Sequence, residues 1–260
     1  MRGSDTIFVA DTCIGGLSVI RSLRDSGRTD DVHFLADYAV NPLGVKDDNA
    51  IANVVRRWLA LAAQRSDRLM IACNTLSIRY RQMQDALGMA TGLRQVVSMV
   101  DCFEAMTRQQ ADRLAGKRVV ILGTAFTASQ LLYTDLLRAV VADARVSTVT
   151  ATELERRVAR FEPGRANPAA SLSVEARESL ANAEVVVLAC TCFPLIQADL
   201  QRLYPGVSFL DPGAYCGELL AADTAARNSA LHVEVTGNVV STERVVDFAA
   251  SYVGGAGDAS

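Results

Sequence analysis

Two stretches of the chain decide its fold, RLMIACNTLS at residues 68–77 and EVVVLACTCFP at residues 184–194. Each begins with a short apolar run, reaches an Ala-Cys pair, and continues into residues with hydroxyl or amide side chains. Apolar runs of this length are typical of fully buried strands, and buried strands that alternate with helices form parallel α/β sheets. The two stretches therefore predict equivalent strands, each with a cysteine at its carboxyl end.

Further runs of the same kind lie at residues 7–10, 32–36, 96–100, 118–122, 146–150 and 207–210. Apolar residues at helical spacing occupy the stretches between them, at 46–65, 76–87, 101–115, 126–141, 171–182 and 194–203. The second half repeats the order of the first, which predicts two similar α/β domains with mainly parallel sheets. We expect a first domain of residues 1–97 plus 210–260 and a second of residues 98–209. The returning segment contains a short strand at 232–236 and a helix near 241–252.

The overall composition favours a globular protein that acts on small molecules. Half of the 260 residues are hydrophobic, and 26 basic residues against 29 acidic ones give a net charge of −3. Such a balance, without long runs of one sign, argues against binding to nucleic acid or to a membrane surface. Because no apolar run has the length of a membrane span and no signal peptide is recognisable, we expect a cytoplasmic location. The six cysteines are then thiols or metal ligands rather than disulfides.

The two cysteines that end the deciding strands, Cys73 and Cys190, are the main candidates for chemistry. Ligands of open parallel sheets bind beyond the carboxyl ends of the strands, where Asp11 and Thr124 are also predicted. A cleft between the two domains would collect all four residues. Two thiols on opposite sides of a substrate can invert a stereocentre, since one removes a proton and the other supplies one. A helix predicted after each cysteine would lower its pKa.

Several motifs then resemble, in order and spacing, those of the glutamate racemase family. They are VADTCIGGLSVIRSL (9–23), FLADYAVNPLGVK (34–46), IACNTLS (71–77), ILGTAFTASQLLYTDLL (121–137), LACTCFPLIQADLQ (188–201) and VTGNVVSTERVVDFAASYV (235–253). Together they cover nearly the whole chain. The resemblance implies two pseudo-symmetric flavodoxin-like domains with the active site in the interdomain cleft, and a racemase that needs no cofactor and no metal. It also implies an amino-acid substrate and a homodimer. The D-amino acid produced would serve peptidoglycan synthesis, and a role in a specialised pathway is left open as the alternative.

By this resemblance, Cys73 and Cys190 are the catalytic acid/base pair, and Asp11 lies close to the substrate ammonium group and to Cys73. The α-carboxylate would bind to Asn74, Thr75 and Thr191. The full set of implied substrate-binding residues is Thr12, Pro42, Leu43, Gly44, Asn74, Thr75, Thr124, Thr127, Thr191 and Cys192.

The sequence departs from the family pattern at positions that would contact the substrate. Cys192 replaces the usual histidine of the second cysteine motif, Thr12-Cys13 replaces Ser-Gly, and Leu43 replaces an aromatic residue. The acidic motif of the second domain is not recognisable near Glu153 or Glu155. These changes leave open whether the substrate is glutamate or a related amino acid. The only histidines, His33 and His232, lie in or beside predicted strands and are expected to be structural.

Three alternatives stay open from the sequence. The chain is also compatible with another isomerase of the aspartate/glutamate racemase superfamily. The four thiols predicted at the cleft, Cys13, Cys73, Cys190 and Cys192, suggest a zinc ion or an iron–sulfur cluster, although their spacing is not a metal signature. The loss of the family histidine suggests a non-catalytic amino-acid-binding or regulatory homologue.

Overall fold

The computed structural model describes residues 6–43, 46–87, 92–161, 167–221 and 229–254 of the chain. Within these ranges, nine strands form two sheets in which every pair of neighbouring strands is parallel. The strands are β1 (Thr6–Asp11), β2 (Asp31–Asp37), β3 (Arg68–Ile71), β4 (Gln95–Ser98), β5 (Arg118–Gly123), β6 (Arg145–Thr150), β7 (Val185–Ala189), β8 (Ser208–Leu210) and β9 (Leu231–Thr236). The α/β class with two parallel sheets is therefore confirmed.

The first sheet has the order β4-β3-β1-β2-β9, and the second has the order β6-β5-β7-β8. The helices are α1 (Gly16–Asp25), α2 (Asp48–Arg65), α3 (Asn74–Leu87), α4 (Met99–Gln109), α5 (Ala111–Leu114), α6 (Ala125–Ser129), α7 (Leu132–Val140), α8 (Thr152–Ala159), α9 (Pro168–Ser171), α10 (Val174–Ala181), α11 (Gln197–Leu203), α12 (Cys216–Leu219) and α13 (Thr242–Gly254). No helix within the described ranges combines the length and the hydropathy needed to cross a membrane.

Helices cover both faces of each sheet, so the central strands are apolar on both sides. In β1, Ile7 and Val9 pack into a core cluster that also contains Val120 of the second sheet. The alternate residue Phe8 packs on the opposite face, against α2 with its fully buried Trp58. Because successive side chains of a strand point to opposite faces, one central strand joins two separate cores.

Some predicted boundaries are wrong for local reasons. The strand predicted at 96–100 ends at Ser98, where a capping box with Asp101 starts α4. The helix predicted at 101–115 is interrupted at Gln110. The helix predicted at 126–141 divides into α6 and α7 because Leu131 adopts a left-handed conformation with φ 54°. Helix α8 was not predicted at all.

The two histidines lie in the first sheet. His33 of β2 stacks on Phe8, with ring centroids 5.2 Å apart, and its Nε2 lies 3.2 Å from a carboxylate oxygen of Glu234. His232 of β9 stacks on His33 at 6.4 Å. Burial lowers the pKa of His33, although Glu234 opposes this effect. These contacts fit the structural role expected for both residues.

Candidate active site

A cavity of about 460 Å³ lies between the two sheets, at the carboxyl ends of their central strands. The loops after β1 and β3 contribute to it from the first sheet, and the loops after β5 and β7 contribute from the second. Neighbouring strands end at the same height in each sheet, since Ala10 pairs with Ile71 and Gly123 pairs with Ala189. The loops that follow these strands therefore start side by side. The parallel topology therefore brings the residues that follow these strands to one cleft.

Eleven residues expected at the site line this cavity: Asp11, Thr12, Pro42, Leu43, Cys73, Asn74, Thr75, Thr124, Thr127, Cys190 and Thr191. Cys192 is fully buried behind the lining, against Cys13. Gly44 lies outside the described residues.

Cys73 lies two residues beyond the end of β3 and directly precedes helix α3, as the sequence predicts. Its Sγ lies 3.7 Å from the hydroxyl oxygen of Thr12. Burial raises the pKa of the Cys73 thiol well above its usual value, and the nearby Asp11 raises it further. The expected lowering by the helix is therefore outweighed, and Cys73 is held as a neutral thiol when the cavity contains no substrate.

Cys190 directly follows β7 on the other side of the cavity and is only 8% exposed. The expectation that a helix starts directly after it is wrong. Its carbonyl oxygen accepts a 3.0 Å hydrogen bond from the Phe193 N–H in a tight turn, and a 3₁₀ helix at Pro194–Ile196 comes before α11. Cys190 therefore does not lie at the N-terminus of an α-helix.

Asp11 is a buried carboxylate that links the two halves of the site. It accepts hydrogen bonds from the Thr191 hydroxyl (2.8 Å) and from the Thr12 N–H (2.6 Å). Burial raises its pKa from 3.8 to about 7, although these bonds and one from the Gly16 N–H oppose the shift. The N-cap residue of α1 is Gly15, so Asp11 lies near the start of this helix without being its cap residue. Asp11 can hold or release a proton near neutral pH.

Gly15 is required where the loops of the two sheets meet. A Cβ atom at this position would lie 2.4 Å from Oγ1 of Thr191 and 2.9 Å from Oδ2 of Asp11. It would also lie 3.0 Å from the backbone nitrogen of Cys192. Only a residue without a side chain allows the hydrogen bond between Thr191 and Asp11 to form here.

Asn74 presents an unused donor at the cavity. Its Oδ1 accepts a 2.7 Å hydrogen bond from the Tyr133 hydroxyl, which fixes the orientation of the amide. Its Nδ2 is buried and has no hydrogen-bond partner among the residues that the structure describes. A buried donor without a partner costs about 1–3 kcal/mol, so a ligand with an acceptor oxygen would gain this interaction. Tyr133 was not singled out from the sequence.

The two turns expected to hold the substrate side chain differ in their internal contacts. Asn41, which was not predicted as a site residue, donates a 2.7 Å hydrogen bond to the Thr12 carbonyl and fixes the turn containing Pro42 and Leu43. In the second half, the Thr124 hydroxyl oxygen accepts a 3.4 Å hydrogen bond from the Thr127 N–H and caps α6. Leu43 lines the cavity but packs mainly into the core beside α2.

An acidic residue missed in the sequence lies at the site. Glu155 of α8 lines the cavity, and burial raises its pKa to about 7, although Arg160 and Arg156 oppose the shift. The signal was weak because TELERRVA, the sequence of α8, has buried apolar side chains only at Leu154 and Val158 and in the final alanine. Glu153, on the same helix, instead pairs with Arg156 and an adjacent arginine, which lower its pKa to about 2.

The four thiols do not converge on one point. Cys13 and Cys192 are in contact, with their sulfur atoms 3.4 Å apart, whereas Cys73 contacts Thr12. The third group near Cys13 and Cys192 is the carboxylate of Glu155, and the three ligand atoms lie within 4.8 Å of one another. The alternative of a four-thiol metal site is therefore not supported by the described residues, which instead bring two thiols and a carboxylate together.

The chain is similar in sequence and in fold to known proteins. The sequence model of the family "Asp/Glu/Hydantoin racemase" matches residues 33–216. A glutamate racemase of Shewanella baltica (strain OS185) is 32% identical over 218 residues, which cover 81% of this chain and 76% of that protein. Crystal structures of glutamate racemases from Campylobacter jejuni and from Escherichia coli, the latter in complex with L-glutamate and the activator UDP-MurNAc-ala, share the fold. Both are 22% identical to this chain. The Campylobacter structure has a TM-score of 0.74 and covers 96% of this chain and 98% of its own. The Escherichia coli structure has a TM-score of 0.73 and covers 97% of this chain and 96% of its own.

Proposed function

The chain belongs to the Asp/Glu/hydantoin racemase family, and we propose that it inverts the α-carbon of an amino acid with Cys73 and Cys190 as acid and base. One observation carries this proposal: two thiols, each at the carboxyl end of a central strand in a different sheet, line a single cavity. A substrate held between them presents opposite faces of its α-carbon to the two sulfur atoms.

The reaction requires two proton transfers. One cysteine, as thiolate, takes the α-proton, and the electron pair of the broken C–H bond moves onto the α-carbon and its carboxylate. The other cysteine, as thiol, gives its proton to the opposite face. The product has inverted configuration, and the two cysteines have exchanged protonation states. Starting from the exchanged state runs the reaction in the other direction, so both enantiomers are substrates.

The remaining polar groups suit the two ends of an amino acid. We assign the free Nδ2 of Asn74 and the neighbouring Thr75 to the α-carboxylate. We assign Asp11 to the ammonium group, whose positive charge would favour the carboxylate form of Asp11 and the thiolate form of Cys73. Substrate binding would thus lower the pKa values that burial has raised.

We propose glutamate or a related acidic amino acid as the substrate. Two cationic residues, Arg156 and Arg160, are among the described residues that line the cavity. Arg156 pairs with Glu153, so we assign Arg160 to the anionic side chain of the substrate. The Shewanella relative, a glutamate racemase, points to the same class. Catalysis without cofactor or metal, a cytoplasmic location, a homodimer and a role in peptidoglycan synthesis stay predictions from the sequence.

Incubation with a panel of L- and D-amino acids in heavy water tests the reaction and the substrate together. We expect deuterium at the α-carbon and loss of optical purity for acidic amino acids, unchanged by a chelator. Wild type should be compared with Cys73→Ala and Cys190→Ala. Binding of an amino acid without any deuterium exchange would contradict the racemase proposal and favour a binding homologue.

A further inference from the structure

Two departures from the family sequence pattern meet in space. Cys13 replaces a small residue after Asp11, and Cys192 replaces the family histidine, yet their sulfur atoms are 3.4 Å apart. The carboxylate of Glu155 completes a group whose ligand atoms lie within 4.8 Å of one another. The three residues come from the loop after β1, the loop after β7, and helix α8. Their convergence is therefore a product of the fold and not of a local motif.

We propose that Cys13, Cys192 and Glu155 form a binding site for a thiophilic divalent cation such as Zn²⁺. Thiolate sulfur and carboxylate oxygen are both ordinary zinc ligands. Tetrahedral zinc with usual bond lengths requires a separation of about 3.8 Å between two sulfur ligands and about 3.6 Å between sulfur and oxygen. The observed sulfur separation of 3.4 Å is close to that requirement. A disulfide would need a separation of about 2.0 Å.

The surroundings of the site also favour a cation. The buried carboxylate of Asp11 lies close enough to Cys13 to act on it electrostatically, and the carboxylate of Glu155 is itself one of the three ligands. Cys192 is fully buried and Cys13 is 3% exposed, so the attraction between a cation and these groups would be screened less than at the protein surface.

The ion would have access and a free coordination position. Cys13 and Glu155 line the substrate cavity, so the fourth position of a tetrahedral ion can face it. An ion with this open position would occupy part of the cavity and exclude the substrate from it. Metal binding should therefore inhibit racemisation, and this consequence alone rests on the proposed function.

Titration of the reduced, metal-free protein with Co²⁺ under anaerobic conditions tests the site without an activity assay. We expect one Co²⁺ per chain, with the near-ultraviolet absorption of thiolate-to-cobalt charge transfer and the visible bands of tetrahedral Co²⁺. Cys13→Ser and Cys192→Ser should each remove the charge-transfer absorption of the two-thiolate site. Glu155→Gln keeps both thiols and should weaken Co²⁺ binding at least tenfold.

Cys102→Ser is the matched control, because Cys102 is also fully buried but does not line the cavity, and it should bind Co²⁺ as the wild type does. Absence of thiolate absorption in the wild type would overturn the proposal. The same holds if the absorption persists in Cys192→Ser but disappears in Cys73→Ser. Full racemisation by the Co²⁺-loaded protein would overturn the inhibitory consequence alone. If the metal-free protein has no racemase activity, the absorption spectrum with Co²⁺ still tests the proposed metal site.

Discussion

Tyr133→Phe separates the orientation of Asn74 from the packing around it. The Tyr133 hydroxyl donates a 2.7 Å hydrogen bond to Oδ1 of Asn74, and its ring stacks on Phe103 with centroids 4.4 Å apart. Burial raises the pKa of Tyr133 well above its usual value, so the hydroxyl remains a donor at any working pH. Phenylalanine keeps the stacked ring and removes only the donor. The amide of Asn74 then loses the contact that aims its Nδ2 into the cavity.

The magnitude follows from the burial of both partners. Tyr133 is 2% exposed and Asn74 is 5% exposed, so water cannot replace the lost hydrogen bond. A buried acceptor left unpaired costs about 1–3 kcal/mol, which we expect as a decrease in the free energy of unfolding. If the same energy is lost in binding the substrate carboxylate, kcat/KM falls about 5- to 150-fold, because about 1.4 kcal/mol corresponds to a factor of ten.

Denaturant unfolding and racemisation kinetics on the preferred amino acid measure the two effects. Tyr215→Phe is the matched control, because its hydroxyl accepts a 2.8 Å hydrogen bond from Gln110 and the residue does not line the cavity. We expect that variant to lose stability without a change in kcat/KM. A Tyr133→Phe protein that is destabilised but keeps a normal kcat/KM would refute the positioning role and leave Tyr133 purely structural.

Three further predictions concern the residues at the centre of the cavity. Cys73→Ala and Cys190→Ala should each reduce racemisation at least a thousandfold in a chiral assay, whereas Cys102→Ala should keep nearly full activity; near-normal racemisation in either of the first two would exclude the two-base mechanism. Because burial raises the pKa of Asp11 from 3.8 to about 7, its protonated form stabilises the fold below about pH 4, and this contribution is lost as the pH rises through 7. This loss lowers the free energy of unfolding by on the order of 4 kcal/mol between about pH 4 and pH 7, so the free energy of unfolding of Asp11→Asn should decline less than that of the wild type. Equal pH profiles of the two proteins would contradict the raised pKa. Gly15→Ala should destabilise the protein by about 1–3 kcal/mol and lower kcat/KM, since the added methyl group separates the loops of the two sheets; unchanged kinetics would show that these loops tolerate displacement.

The strands could be predicted because each central strand is covered on both faces. Burial on both sides demands a continuous apolar run, and a short β-branched run such as VVVLA of β7 suits a buried strand better than a helix or a loop. The strand ends then place Cys73 and Cys190 at one edge of their sheets. The expected division into domains of residues 1–97 plus 210–260 and 98–209 stays a prediction, although β9 does pair with β2 and β8 does pair with β7.

Contacts between distant loops could not be predicted, because the periodicity of apolar residues indicates single helices and strands and not how the loops between them meet. Cys13 and Cys192 are separated by 179 positions in the sequence, and their contact depends on how the two sheets face each other. The role of Glu155 was missed for a related reason. Helix α8 packs with few apolar residues, so neither the helix nor the burial of its carboxylate has a strong sequence signal.

The charges in the cavity indicate that, in the proposed mechanism, substrate binding itself ionises the groups that act on the substrate. Burial keeps Cys73 protonated and raises the pKa values of Asp11 and Glu155 to about 7, so the cavity without substrate is poorly suited to abstract a proton. In the proposed mechanism, an amino acid would bring its ammonium group to Asp11, and its bulk would exclude water from the thiols. The positive charge would then favour the ionised carboxylate and thiolate when a base is needed. A ligand without the ammonium group should therefore bind without generating a reactive thiolate, which explains how deeply buried thiols can serve as bases for amino acids and remain unreactive otherwise.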